Sequence, residues 1–215
     1  MSAIIAIDGP AGSGKSTLAR RLAEALDLPY LNTGLMYRAL AARALDCGVS
    51  PDDEQGLLDL LRTMRFDLAG EPRATLRVDG GAPGDDLVGA PVEAAVSAVA
   101  RHPGVRGVMR DLQRALGRPG AVVEGRDIGS VVFPDATVKL FLVADEEARA
   151  ARRRRERGGG DAGAAALTDR DRRDARVHAP VPPEGAEVLD TGRLDADATF
   201  AAAIARIRAR IGATP

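Results

Sequence analysis

The chain is poor in the residues that build a core by bulk. Among 215 residues there is no Trp, and Phe and Tyr bring the aromatic share to only 3%. The interior must then be assembled from Ala, Val, Leu and Ile, through number rather than size. Few aromatics also means few platforms on which unpaired bases could stack. A single cysteine, Cys47, excludes an intrachain disulfide and a thiolate zinc site, and fits a reducing compartment. It is expected on a buried helix face. Thirty basic side chains stand against 31 acidic ones, a formal net charge of -1, so nonspecific nucleic-acid binding is not the expected role. No apolar run approaches the roughly 18 residues needed to span a bilayer. The N-terminus enters a strand pattern within a few residues, and no signal peptide is expected. These absences together point to a cytoplasmic protein without a membrane partner.

What is present is ordinary in amount: 45% hydrophobic and 28% charged residues, enough for one substantial core with room for a small insert. Lysine is rare. Lys15 and Lys139 are the only two, and arginine fills nearly every other basic position.

Lys15 closes the most informative stretch, Ile4 to Leu18. A short β-branched run leads into Gly9-Pro10-Ala11-Gly12-Ser13-Gly14-Lys15-Ser16-Thr17, and a helical pattern begins at Lys15. Gly9, Gly14, Lys15 and Ser16 match the phosphate-binding pattern G-x-x-x-x-G-K-[ST], in the strand-then-helix context that gives the pattern meaning. Glycines let the chain approach a ligand closely. Successive N–H groups at the start of a helix form an anion cradle that the helix dipole reinforces. Lys15 can reach the β- and γ-phosphates of a nucleotide, and the Ser16 hydroxyl can sit on Mg²⁺. A tight strand-to-helix turn is the plain alternative, and the flanking pattern favours the nucleotide.

Further along, Ser16 to Asp27 reads as a helix with Leu18, Leu22, Ala25 and Leu26 on one face, and Leu28 to Leu31 as a short strand. Asn32-Thr33-Gly34-Leu35-Met36-Tyr37-Arg38 opens a second helix, with Thr33 as its cap and Arg38 as a surface charge if nothing else bears on them. In a parallel sheet, however, that strand end faces the phosphate loop's crevice. Ser50 to Met64 reads as a helix capped by Ser50 with Pro51 in its first turn. Phe66 to Asp86 changes texture: alternating segments punctuated by glycine predict a small antiparallel patch, an insertion docked on the main domain. Pro91 to Ala100 returns to helix. Val105 to Leu116 is another, with Arg106, Arg110 and Arg114 on one face, ordinarily a solvated stripe.

Gly120 to Gly129 is the second informative stretch. A buried strand ends in Glu124, followed by Gly125 and the Arg126-Asp127 pair. An acid at a strand tip beside a phosphate loop commonly holds Mg²⁺ or its water shell. Gly129 to Pro134 reads as loop and Thr137 to Val143 as strand. Asp145 to Arg157 is a strongly basic helix, and Thr168 to Arg176 carries alternating acids and arginines after a Gly-rich run at 158–163. Two arginine-rich segments joined by such a run look like a lid that could bring guanidinium groups over a polyphosphate. Glu187 to Thr191 is a last strand, and Leu194 to Ile211 a closing helix. Strand–helix alternation throughout means an α/β chain: a parallel sheet with helices on both faces.

These stretches together resemble the bacterial cytidylate kinases, P-loop enzymes that phosphorylate CMP and dCMP. The resemblance is carried by Ile7 to Ser16, by Leu31 to Arg38, and most distinctively by Glu124-Gly125-Arg126-Asp127-Ile128-Gly129-Ser130-Val131-Val132-Phe133-Pro134-Asp135-Ala136. Ala179-Pro180 and Leu189-Asp190-Thr191 also fit, so nearly the full length is covered.

The resemblance implies a monomeric enzyme with a P-loop core (1–61 and 101–215), a monophosphate-binding insertion (62–100) and a mobile lid near 152–176. ATP, as its Mg²⁺ complex, would lie on Gly9 to Thr17, with Ser16 and Glu124 at the metal. On the acceptor side it implies Thr33 near cytosine, Arg38 on the CMP phosphate, Arg106 with Asp127 on the base and Arg126 on the acceptor phosphate. Lys15, Arg126, Asp127, Arg152 and Arg176 are the implied catalytic set, with Arg170 and Asp174 adding to the acceptor site. One departure stands out. The family's Arg-x-x-x-Asp-x-x-Arg spacing has Arg170 and Asp174 in place, but Val177 occupies the last position and Arg176 is the nearest arginine. Either the helix ends near Asp174 and Arg176 comes from the turn, or a different arginine takes the role. Asn32 stands where the family often has aspartate. The alternatives are a kinase of UMP or AMP, and, from another class, a non-catalytic nucleotide switch or an RNA-binding module.

Overall fold

The structure, a computed structural model, describes residues 3–157 and 181–212. Its frame is a seven-stranded sheet in the order β3-β4-β2-β5-β1-β6-β7. The strands are β1 (Ile4–Asp8), β2 (Tyr30–Asn32), β3 (Phe66–Ala69), β4 (Thr75–Val78), β5 (Ala121–Glu124), β6 (Val138–Val143) and β7 (Glu187–Asp190). Every neighbouring pair is parallel except β3 with β4. The central strands are covered on both faces, and their sequences are accordingly continuous apolar runs rather than alternating ones.

Side chains alternate across β1. Ala6 points to a core shared with α2 (Thr33–Asp46), α3 (Glu54–Thr63), α4 (Ala90–Arg101) and α5 (Pro103–Gly117). Ile5 and Ile7 point to the opposite core, with α1 (Lys15–Leu26) and α7 (Ala196–Gly212). Each fully buried Leu or Ile contributes about 1.5–3 kcal/mol, so many aliphatics make up for the missing aromatics. The parallel strands bring their carboxyl ends to one edge, where Asp8, Asn32 and Glu124 fall close together. The remaining helix, α6 (Glu146–Arg157), follows β6 from that same edge.

Several local expectations need correction. The buried face of α1 is Leu18, Ala19, Leu22 and Ala23, whereas Ala25 is exposed. Asn32, not Thr33, caps α2, its side chain accepting from Leu35 N at 3.1 Å. The next helix is capped by Asp53, which accepts from Gly56 N at 3.1 Å, and Ser50-Pro51 forms a preceding turn. Both residue types cap well, and the later one wins. Cys47 is exposed at the end of α2 rather than buried. Within Gly129 to Pro134, read as loop, the chain instead forms most of a π-helical turn, Ile128–Val132, with Phe133 N bonded to Ile128 O at 2.7 Å. The antiparallel patch is present as β3–β4. It does not stand apart, because β4 continues the main sheet through the Tyr30–Thr75 pairing and a Tyr30 N to Ala74 O bond of 2.9 Å.

The patch ends in a tight turn that makes a prediction. Asp79 (φ 52) and Gly80 (φ 82) are both left-handed, as a two-residue type I′ turn demands. The Asp79 carboxylate accepts from Arg65 N at 2.8 Å and pairs with Arg43. The backbone N–H of Arg65, ahead of Arg43, holds its pKa below the usual carboxylate value. A lowered folded-state pKa stabilises the fold above the unfolded pKa of about 3.9, and the stabilisation is lost as pH falls through the folded value. The carboxylate is about one-third exposed (34%), so Asp79→Asn should cost only about 0.5–1 kcal/mol at pH 7. Urea unfolding should show that difference at pH 7, and the difference should disappear as pH falls through the folded-state pKa. A difference that persists at the acid end would contradict the assignment.

Candidate active site

The loop between β1 and α1 has the backbone its sequence requires. Gly9, Gly12 and Gly14 take φ values of 146°, 73° and 89°. A Cβ on Gly9 would stand 2.4 Å from Leu142 O, a backbone atom that cannot move aside. No side chain caps the N-terminus of α1, which leaves its first-turn N–H groups to a ligand. The Ser13 hydroxyl is buried without a protein partner, another unspent polar group in the loop. Lys15 Nζ donates to Pro10 O at 2.7 Å and so arches over the loop. Arg149 NH1 and Thr191 Oγ1 donate to the loop carbonyls of Ala11 (3.1 Å) and Ser13 (3.0 Å), bracing it from α6 and from the end of β7.

Glu124, buried at the tip of β5, is the hub of a polar chain. Its Oε2 accepts from Ser16 Oγ at 3.0 Å and its Oε1 from the Tyr30 hydroxyl at 2.5 Å. Asn32 donates to that hydroxyl at 3.2 Å, and Thr33 Oγ1 donates to Glu124 O at 2.8 Å. Burial, reinforced by the adjacent carboxylate, pushes the Tyr30 phenol well above its ordinary pKa, so it stays a donor. The Ser16–Glu124 pairing joins the two residues expected at a metal. Among the described residues no cluster of three or more His, Cys, Asp or Glu forms a protein cage. A hydroxyl and one carboxylate therefore fit Mg²⁺, which keeps waters and phosphate oxygens as most of its ligands.

A crevice of about 200 Å³ opens beside this chain, lined by Lys15, Ser16, Thr33, Tyr37, Arg38, Ser97, Gln113, Glu124, Arg126 and Asp127 among others. Of the expected acceptor residues, Thr33, Arg38, Arg126 and Asp127 line this one crevice. Arg106 NH2 meets Asp127 Oδ2 at 3.3 Å, and Arg126 NH1 reaches Gly9 O at 3.4 Å. The Arg38 guanidinium is almost wholly buried, ion-paired with Glu93 and donating to Leu87 O at 3.1 Å. Burial raises the Tyr37 phenol above its usual pKa. A second cavity of about 550 Å³ lies on the other flank of the loop, bordered by Gly14, Thr17, Arg152, Thr191 and Arg193. Arg152 donates to both Thr191 Oγ1 (3.0 Å) and Thr191 O. Arg170, Asp174 and Arg176, with most of the expected lid, lie outside the described residues.

The sequence reading overlooked Tyr30, Glu93, Arg149 and Gln113. A signal for Tyr30 existed: the chain has only two tyrosines, and both border this site. Arg114, assigned to a solvated stripe, instead donates to Val131 O and Val132 O at 2.8 Å each.

The model for the cytidylate kinase family matches residues 5–209. The chain belongs to that family. A cytidylate kinase of Thermus thermophilus is 46% identical over 213 residues, spanning 97% of this chain and 100% of that protein. One from Paramagnetospirillum magneticum is 44% identical over 218 residues, spanning 95% and 97% respectively. Among solved structures, a shikimate kinase from Bacteroides thetaiotaomicron superposes with a TM-score of 0.50 at 13% identity, covering 98% of each chain, a likeness of fold alone. The crevice of this cytidylate kinase family member thus lies at the carboxyl edge of a P-loop kinase sheet. No helix of the described residues is long and apolar enough to cross a membrane.

Proposed function

We propose that the protein transfers the γ-phosphoryl group of ATP to CMP or dCMP, giving ADP and the corresponding diphosphate. Family membership over nearly the whole chain supports the reaction. The observation that carries it is the convergence on one crevice of the glycine loop and Asp127, the latter paired with Arg106.

The donor phosphates lie on the loop amides and Lys15, and the nucleoside end of the donor takes the neighbouring 550 Å³ cavity. Ser16 and Glu124 would hold Mg²⁺, which when bound neutralises charge on the phosphate oxygens. Arg38 and Arg126 hold the acceptor phosphate. Asp127, oriented by Arg106, accepts from the exocyclic amino group of cytosine, where uracil presents an acceptor instead. A matched acceptor rejects the reversed polarity more strongly than it would a missing methyl. Arg152, with Arg170 and Arg176 of the lid, supplies further guanidinium groups, and lid closure excludes water. Asp174 joins the acceptor site. Catalysis of this kind is positioning and charge stabilisation, with no covalent enzyme intermediate.

Residues 62–100 form the acceptor-side insertion of this scheme, with 1–61 and 101–215 as the core. A cytoplasmic monomer acting in pyrimidine nucleotide metabolism completes the proposal. A lone cysteine fits the reducing compartment of that proposal. Coupled assays of ADP formation over a panel of monophosphates test the substrate. CMP and dCMP should be turned over with the highest kcat/KM; a clear preference for UMP or AMP would overturn the cytidine assignment.

A further inference from the structure

Asp8, the last residue of β1, is buried and has no part in the reaction scheme above. Its two carboxylate oxygens are both committed. Oδ1 accepts from Ile128 N and Oδ2 from Gly129 N, each at 2.7 Å. These are the first N–H groups of the π-helical turn Ile128–Val132, whose own cap position, Asp127, makes no side-chain capping bond. A carboxylate 120 positions away in sequence thus serves as the cap. A side chain at Gly129 would crowd it, a Cβ there standing 3.2 Å from Asp8 Oδ2.

The turn's first residues directly follow Arg126 and Asp127. We propose that Asp8 is a positioning residue, which fixes the Arg126-Asp127 segment against the root of the phosphate loop and so sets the distance between acceptor and donor. Two further contacts run along the same seam, Gly125 N to Ile7 O at 3.0 Å and Arg126 NH1 to Gly9 O at 3.4 Å. The glycine loop does not depend on this brace alone, because Lys15, Arg149 and Thr191 hold its carbonyls from other directions. Loss of the brace should therefore damage acceptor binding and spare donor binding. The inference rests on the proposed acceptor role of Asp127.

Asp8→Asn tests it. The amide keeps the shape but turns an NH₂ group toward one of two backbone donors, leaving that N–H unsatisfied. Steady-state kinetics and calorimetry should show KM and Kd for CMP raised about tenfold or more, with Kd for a non-hydrolysable ATP analogue within about threefold. Discrimination between CMP and UMP should shrink. Equal losses for both nucleotides, or unchanged CMP binding, would overturn the proposal. If wild type itself bound no CMP, the functional reading would fail instead, which separates the two. Hydrogen exchange on the wild-type protein keeps the test independent of how the variant folds. The amides of Ile128 and Gly129 should be strongly protected, and exchange at exposed-loop rates would contradict the brace.

Discussion

Replacing Lys15 by Ala should lower kcat by about 10²–10³-fold while leaving the affinity for CMP within about twofold. The ammonium group sits 2.7 Å from Pro10 O, arched over the loop. Main-chain N–H groups and the α1 terminus provide much of the ground-state attraction for a polyphosphate. What the lysine adds is a compact point charge that follows the oxygens as charge develops on them, an interaction stronger in the transition state than before it. Lys15→Arg should rescue poorly, since a planar guanidinium replaces a small, strongly hydrated cation at a tight site. Coupled turnover assays and calorimetry separate the two effects. A raised KM for ATP at unchanged kcat would mean that the lysine merely binds.

Asp127→Ala should raise KM for CMP by about 30–100-fold, the equivalent of about 2–3 kcal/mol for a charged hydrogen bond left unmade. KM for ATP should stay within about twofold. The loss has two parts. The acceptor aimed at the cytosine amino group disappears, and Arg106, held at 3.3 Å by the same carboxylate, loses that partner. Asp127→Asn should fall between, because an amide oxygen can still accept while its nitrogen opposes a donor. Uridine monophosphate should gain on CMP in both variants. Comparable damage to both substrates would contradict base reading by this residue.

The glycine loop and the helix after it were legible because they are local. A strand, a glycine loop, a lysine and a helix follow one another within fifteen residues, and every role depends on near neighbours in sequence. The Ser16–Glu124 pairing was also anticipated, since both residues stand at an edge where parallel strands must end together. Contacts that join distant segments were not legible. Nothing near Arg38 announces Glu93, and nothing near Asp8 announces two amides 120 residues further on. The π turn at 128–132 escaped because a five-residue hydrogen-bond span leaves no simple hydrophobic period. Arg114 looked solvated by helical spacing, yet it satisfies the closing carbonyls of that same turn. The antiparallel patch was visible from its alternation, whereas its attachment to the main sheet depends on one residue pairing, Tyr30 with Thr75.

Titration calorimetry with CMP tests the central claim most directly, that one crevice seats an acceptor nucleotide opposite the phosphate loop. Folded protein should take up one CMP per chain, and should do so again when saturated with a non-hydrolysable ATP analogue. Absence of CMP uptake by folded protein, or its displacement by the ATP analogue, would contradict the account.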